Sequence, residues 1–557
     1  MFENLRNPKY IEKIKKEEAY QPLVNALKGY YEDNKLEVVP NLTFDARWEY
    51  YNSGDRAIFE NIYFARRRFL SGVAIMAVLY PENKQYISEL QNILWAICDE
   101  YAWAAPAHST GVFEEDIERT DLFSSETGKT VAEICDLLKD RLHPVVVKRC
   151  EYELRRRIIE PYKNKTQFWE KGISNWSAVC ASGTASVFYF LEPELFEEYI
   201  PRFKISVEYF MKSFADDGTC IEGPSYWNYG FGCFLWLAEA IYDFTGGKED
   251  LLKNEKIQKM AGYMHRSFLK GNCSVSFSDS TANSKIGLAT LYYLNKRIPE
   301  YVPLLPKEKI AFVSPNIHWG ALARALEYYD PELVLPVDID NCDYYLEKAG
   351  QVILNREKYS FAIKTGSNKE PHNQNDVGTF IFSDSSGQVF CDLGPGKYTK
   401  QYFDDNYRYN ILCCSSLGHN VPIVNGQAQK TGEECRGSIS FENGIIKVEF
   451  SSAYKIENLN KLLRTVTPTD SGVVVRDEFD NASSFVSRLV TLTEPIVANG
   501  AVTVGNTVVE YDSENCGVNV SVDYHEKHKS EESLPVYLID FSKQGNNNYV
   551  ELKIQTR

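Results

Sequence analysis

The sequence is short of histidine, methionine and positive charge. Of 557 residues, eight are His and five are Met, and Asp plus Glu outnumber Lys plus Arg by 77 to 61, a net charge of −16. Such an acidic chain lacks the basic balance of a nucleic-acid binder. A local basic cleft for a polyanion can still coexist with an acidic surface. No run approaches the roughly 20 apolar residues that span a bilayer. Met1-Phe2-Glu3-Asn4-Leu5-Arg6-Asn7-Pro8 lacks the apolar core of a signal peptide. A cytoplasmic protein with no membrane partner is therefore expected. There is no CxxC pair to hold a zinc knuckle and no GxSxG nucleophile elbow. The 13 cysteines, an odd and scattered set, are expected to be buried free thiols in a reducing compartment.

What the chain has in quantity is aromatic side chains: 36 Tyr, 30 Phe and 8 Trp, 13% of residues. Exposed rings stack on sugar faces, so this richness is compatible with a carbohydrate surface as well as with large cores. Two arginine triplets, Arg66-Arg67-Arg68 and Arg155-Arg156-Arg157, fall in helical patterns and are expected to be mostly surface ion-pair partners.

The length calls for more than one core. Residues from about 10 to 330 read as helix after helix, with apolar groups three and four apart over Ala57 to Tyr80 and over Tyr86 to Trp103. Further helical segments are Val131 to Leu138, Pro144 to Tyr162, Ala178 to Leu191, Pro193 to Ser213, Gly232 to Thr245, Leu251 to Phe268 and Ile317 to Tyr329. Pro144 and Pro193 suit first turns, where a missing N–H costs little. Paired antiparallel helices can close into a toroid or stack as a solenoid, and periodicity does not choose between them. The pattern changes near Val334 to Cys342. Beyond it come strand runs such as Gln351-Val352-Ile353-Leu354, Gly387-Gln388-Val389-Phe390, Ile445 to Phe450 and Gly472 to Arg476, with an Asn499-Gly500 turn near the end. This predicts a helical domain over 1–335 and an antiparallel β-sandwich over 336–557, with a smaller C-terminal β subdomain from about 485.

Three stretches carry candidate chemistry. Pro371-His372-Asn373-Gln374-Asn375-Asp376-Val377-Gly378 sets an imidazole among amides and a carboxylate, just before the apolar run Thr379-Phe380-Ile381-Phe382. Imidazole is well suited to moving protons near neutral pH. Ser174-Asn175-Trp176 precedes small residues, Ala181-Ser182-Gly183-Thr184-Ala185-Ser186, that suit a tightly packed helix. Glu222-Gly223-Pro224-Ser225-Tyr226-Trp227-Asn228-Tyr229-Gly230 presents tyrosine hydroxyls from a Gly-Pro loop. Each has a bland reading as well: a turn, a helix cap and a packed aromatic loop.

Taken in this order on an α-then-β layout, the three stretches resemble the heparinase II/III-like polysaccharide lyases. Trp103-Ala104-Ala105-Pro106-Ala107-His108, and Gly418-His419-Asn420 leading to Val424-Asn425-Gly426-Gln427, extend the resemblance over roughly residues 45 to 480. The resemblance implies an (α/α) toroid joined to antiparallel β-sandwich domains, with a cleft between them. It implies cleavage of a 1,4-linkage to a uronic acid by β-elimination, on a glycosaminoglycan or on alginate. Asn175 then neutralises the sugar carboxylate, and Tyr226 and His372 handle the C5 proton and the leaving oxygen, in a syn or an anti sense. Tyr229 is the alternate to Tyr226. Trp103, His108, Trp176, Trp227 and Asn375 become candidate substrate contacts.

The chemistry needs no cofactor. Some family members hold a structural divalent ion in the β domain, and the matching positions here are Gln374, Asp392 and His419. Gln374 stands where His is commoner, and its oxygen suits a harder cation such as manganese or calcium better than zinc; a metal-free hydrogen-bond network is equally open. The expected partner is an anionic uronate poly- or oligosaccharide. His143, His265, His318, His525 and His528 lack metal-ligand spacing or acidic company. A glycoside hydrolase remains an alternative, needing paired carboxylates such as Asp216, Asp217 and Glu222; so does a silent glycan-binding protein.

Overall fold

The computed structural model describes all residues except 110–112, 314–318, 371 and 528–531. His318, His528, Pro371 and the start of the expected helix at Ile317 lie outside the described residues.

The helical half is a closed ring. The long helices Ala57–Leu79, Leu122–Leu138, Asn175–Leu191 and Gly232–Phe244 are apolar almost all round and lie in one core. The small residues of Asn175–Leu191 have a specific use. A Cβ on Gly183 would come within 2.4 Å of the Ser125 carbonyl oxygen, so glycine there lets this helix lie directly against Leu122–Leu138. Closure, which periodicity left open, comes from the two ends of the segment. The backbone N–H groups of Asn4 and Leu5 donate to the Glu327 carboxylate, each at 3.1 Å, and the Tyr10 hydroxyl donates to the Leu326 carbonyl. The Trp319 N–H donates to Ser71 on the helix Ala57–Leu79. The last helix, Trp319–Tyr328, is thereby fastened to the first ones. Arg324, with no exposed surface, pairs with Glu133 and Glu239 in the middle of the ring.

Three expectations for this half need correction. Arg66, Arg67 and Arg157 are buried, the first two against Glu100 and the third against Glu153. The helix expected over Leu251 to Phe268 is broken into Leu251–Lys253, Glu255–Ala261 and Tyr263–Arg266; a Cβ on Gly262 would sit 3.0 Å from the Tyr301 carbonyl oxygen. Between Phe268 and Ala311 the chain makes small strand pairs, Phe268–Leu269 with Cys273–Ser274 and Ile286–Gly287 with Ile310–Ala311. The loop between these pairs carries Asp279.

Among the described residues the β half forms three larger sheets, all antiparallel: one of five strands, one of nine and one of four. The five-stranded sheet, from Asp343–Leu346 to Gly387–Phe390, is the layer between the two halves. Ile353, Ala362 and Ile381 pack into the helical core, while their neighbours Val352, Leu354, Phe361, Ile363, Phe380 and Phe382 pack into the β core. Successive side chains of a strand face opposite ways. A sheet covered on both faces therefore reads as unbroken apolar runs such as Val352-Ile353-Leu354. Residues after 485, expected as a smaller subdomain, contribute strands to both the nine- and the four-stranded sheets. Cys342 is exposed and every other cysteine is a buried free thiol. No helix among the described residues is long and apolar enough to cross a membrane.

Candidate active site

Three segments bring polar side chains together where the toroid meets the central sheet. Asn175 opens the helix Asn175–Leu191, whose N-cap is Ser174. The first peptide N–H groups of a helix favour an anionic ligand nearby. Tyr226 ends the short turn Pro224–Tyr226 and leads into a wider π-helical turn, Trp227–Phe231, a conformation often found at functional positions. A Cβ on Gly230 would lie 3.0 Å from the Asn175 Cβ, so glycine allows the two elements to touch. His372 enters from the β half with φ +54°, and Ser278, beside Asp279, has φ +60°. Left-handed backbone at non-glycine residues is strained and gathers at functional sites.

The Tyr226 ring stacks on the His372 ring, with centroids 4.4 Å apart and the hydroxyl 3.4 Å from Nδ1. His372 Nδ1–H donates to Asp279 Oδ2 at 3.0 Å, which leaves Nε2 as the nitrogen free for a substrate. Asp279 is the hub of the site. It also accepts from the Tyr402 hydroxyl at 2.6 Å, the Tyr398 hydroxyl at 3.3 Å, the Arg408 guanidinium at 3.2 and 3.3 Å, and Gln374 Nε2 at 3.4 Å. Tyr398 in turn lies 2.9 Å from the Tyr226 hydroxyl. Asn175 Nδ2 donates to Glu222 Oε2 at 3.2 Å.

The electrostatics follow from burial and from these partners. Burial pulls the His372 pKa down, but the bond to Asp279 and the charges of Glu222 and Asp279 outweigh it, and the net shift is upward. Burial pushes Asp279 up, but its bond to His372 and the Arg408 charge hold it below the ordinary carboxylate range. Burial, reinforced by the Asp279 charge, drives Tyr226 well up, so its hydroxyl rests protonated.

Other expected contacts divide. His108 and Trp176 meet edge-on at 4.7 Å beside Asn175, and His108 Nδ1 bonds to Asp121 at 2.7 Å. Trp176 is half-buried and leans on Phe168. Trp103 and Trp227 are corrections: both are fully buried, with indole N–H groups donating to the Ile97 and Met260 carbonyls, so neither ring faces a ligand. Asn375 is buried and donates to Thr431. Tyr229 is bonded to Glu126 rather than to His372. Asp216 pairs with Lys256, and Asp217 accepts from the backbone of Lys348 and Ala349, so neither is poised opposite Glu222. Asp279, Tyr398, Tyr402 and Arg408 were not foreseen; they come from two segments, the Asp279 loop and residues 398–408, without a local motif.

A second polar cluster lies beneath. Asp376, Asp392 and His419 are buried with candidate ligand atoms within 4.8 Å of one another. This adds Asp376 to the expected set. His419 Nε2–H donates to the Cys413 carbonyl at 2.9 Å, leaving Nδ1 as the acceptor. Nδ1 lies 3.2 Å from Asp392 Oδ2 without a well-directed hydrogen bond. Asp376 Oδ2, Asp392 Oδ2 and Gln374 Oε1 are likewise buried without partners among the described residues. Lys364 Nζ sits 2.8 Å from the other Asp376 oxygen. One imidazole nitrogen and two carboxylates, the imidazole backed by a carbonyl, fit a divalent cation.

No protein-family model and no curated protein matches the sequence. Solved structures do match in shape. A heparinase III structure superposes with TM-score 0.62 at 15% identity, over 100% of this chain and 92% of that one. A mutant of heparan sulfate lyase HepC from Pedobacter heparinus gives 0.61 at 12%, over 97% and 92%. The Streptomyces coelicolor A3 chondroitin AC lyase, in complex with chondroitin sulphate, gives 0.58 at 8%, over 100% and 82%.

The chain has the heparinase-type lyase fold. The toroid that the helical spacing left open, and the antiparallel sheets after it, are therefore those of the resemblance drawn from the sequence motifs. At this identity the likeness speaks for the fold.

Proposed function

We propose that this protein is a polysaccharide lyase that cleaves the 1,4-linkage to a uronic acid by β-elimination and leaves a 4,5-unsaturated uronate. The observation that carries this reading is the convergence of Asn175 with the stacked Tyr226–His372 pair. A C5 proton is poorly acidic while the neighbouring carboxylate is charged, so the enolate-like transition state needs a donor at that carboxylate. Asn175, at a helix N-terminus, supplies a neutral one. The C5–H bond then breaks, its proton passing to His372 Nε2, because the Tyr226 hydroxyl rests protonated and Nδ1–H is held by Asp279. The electrons of that bond form the C4=C5 double bond, the C4–O bond breaks, and Tyr226 donates its proton to the leaving oxygen. Tyr226 Oη lies 3.4 Å from His372 Nδ1 in the stacked pair, so the two groups are adjacent, an arrangement that fits removal and return of the proton on one face of the ring. Asp279 holds the imidazole in the tautomer this requires.

An anionic uronate glycan is the substrate. Glycosaminoglycans are the first substrates to try, ahead of alginate, a choice supported by the names of the similar structures, heparan sulfate and chondroitin lyases. Asp376, Asp392 and His419, with Gln374 nearby in sequence, would hold a divalent cation. That cation would neutralise the carboxylates and tie the His372 loop to the sheet behind it.

Incubation with chondroitin, hyaluronan, heparosan and alginate, followed by ultraviolet absorbance of the unsaturated product, tests the reading. Absorbance is expected with at least one. New reducing ends without absorbance would mean hydrolysis, and binding without cleavage would mean a glycan-binding protein. Tyr226→Phe should lower turnover about 10³-fold or more with binding retained; a fully active variant would overturn the assignment.

A further inference from the structure

Asn175 can neutralise a carboxylate only if its N–H edge faces the sugar; its amide oxygen there would repel the same group. The two ends of an amide are nearly equal in size, so shape alone does not choose between them. In the structure Nδ2 is drawn to Glu222 Oε2, at 3.2 Å, while Asn175 Oδ1 is buried with no partner among the described residues. Glu222 is 3% exposed and Asn175 6%, so this contact is sheltered from water. The loop carrying Glu222 is held rigidly. Gly223 has φ +89° and would place a Cβ 2.2 Å from Ser280 Oγ, and the Ser225 N–H donates to that same hydroxyl. Ser280 follows Asp279, so one loop anchors both Glu222 and the hub that aims His372.

We propose that Glu222 is the positioning residue for Asn175: it accepts one N–H of the amide and thereby turns the other toward the substrate's carboxylate. The proposal rests on the lyase reading above. A second consequence concerns charge. The groups facing Glu222 are Asn175, His372, Asp279, Tyr226 and Cys220. Burial pushes the Glu222 carboxyl up; the His372 charge and the Asn175 bond pull it back, Asp279 adds to the rise, and the net is upward. A neutral Glu222 still accepts the amide N–H through Oε2. An ionised one sets a second negative charge beside the bound uronate. Substrate affinity should therefore weaken as Glu222 loses its proton with rising pH.

The test compares the full-length wild type with Glu222→Gln and Glu222→Leu, over roughly pH 5 to 9. The readout is ultraviolet absorbance with unsulfated chondroitin, heparosan and polymannuronate oligosaccharides. The wild-type KM should rise by up to about tenfold per pH unit once Glu222 ionises. Glu222→Leu should lower kcat/KM about 100-fold or more, the scale of losing one oriented donor. Glu222→Gln should recover at least about tenfold of that loss and lack the rise in KM with pH. A Gln variant with the wild-type pH profile, or a Leu variant as active as the wild type, would overturn the proposal. If Glu222→Leu does not fold, the profiles of wild type and Glu222→Gln decide. If the wild type produces no absorbance with any of the three, nor with hyaluronan, the lyase reading itself fails. The pH dependence of D-glucuronate affinity in wild type and Glu222→Gln then decides the role of Glu222 by itself.

Discussion

His372 with Asp279 and His419 with Asp392 are the same pair of side chains at nearly the same spacing, 3.0 and 3.2 Å. Their surroundings differ. Asp279 comes from the toroid side and is saturated by His372, Tyr398, Tyr402 and Arg408, while the His372 side chain keeps 26% exposure. Asp392 and His419 both come from the β half and have no exposure, and each keeps an orphaned polar atom. A satisfied carboxylate with an exposed imidazole is equipped to move protons. A sealed cluster of unpaired acceptors is equipped to hold a cation, because orphaned buried polar atoms are costly unless something binds them.

The largest way to sharpen this contrast is Asp279→Asn. It removes the group that orients His372 and leaves the Arg408 charge without its partner. Turnover should fall about 10³- to 10⁴-fold, and stability by about 3 kcal/mol, read by steady-state kinetics and denaturant unfolding. A variant with ordinary turnover would show that His372 needs no orienting partner.

The second pair should respond to pH through its neighbour His525, which is buried and whose pKa is lowered to about 4, chiefly by burial. An unfolded histidine titrates near 6.5. The unfolded chain therefore takes up a proton below about pH 6.5 that the folded chain refuses until about 4. The stabilisation is complete above 6.5 and is lost as pH falls through that window, by up to about 3 kcal/mol. Unfolding curves at several pH values should show this loss, and His525→Gln should remove it.

Smaller again is the effect of metal. Zinc or manganese at about 100 times its dissociation constant should stabilise the wild type by about 2.7 kcal/mol, seen as a rise in melting temperature that a chelator reverses. Asp392→Asn should abolish the rise, and Asp279→Asn should keep it. A shift of equal size in both variants would place the ion elsewhere.

The helical periods, the strand alternation and the three motif stretches were legible in the sequence because each depends on residues close along the chain. Asn175 opens a helix, Tyr226 follows a Gly-Pro turn and His372 precedes a strand, so local pattern was enough to mark them. It was not enough to choose between Tyr226 and Tyr229. The wider turn over Trp227–Phe231 sends one ring to His372 and the other to Glu126. Nor could it separate Trp176, which stays half-exposed, from Trp103 and Trp227, which do not. Asp279 was missed because its loop lies inside a stretch read as helical.

Sequence alone thus determined most of the elements, their order and the three residues around which the candidate site is built, since propensity, capping and period act over a few residues. Ring closure through Glu327, the exposure of each aromatic ring, the Asp279 hub and the Glu222 contact with Asn175 were decided only by the tertiary structure. Each of them joins residues tens to hundreds of positions apart, and burial, which sets both ring exposure and carboxyl charge, is a property of the whole packed molecule.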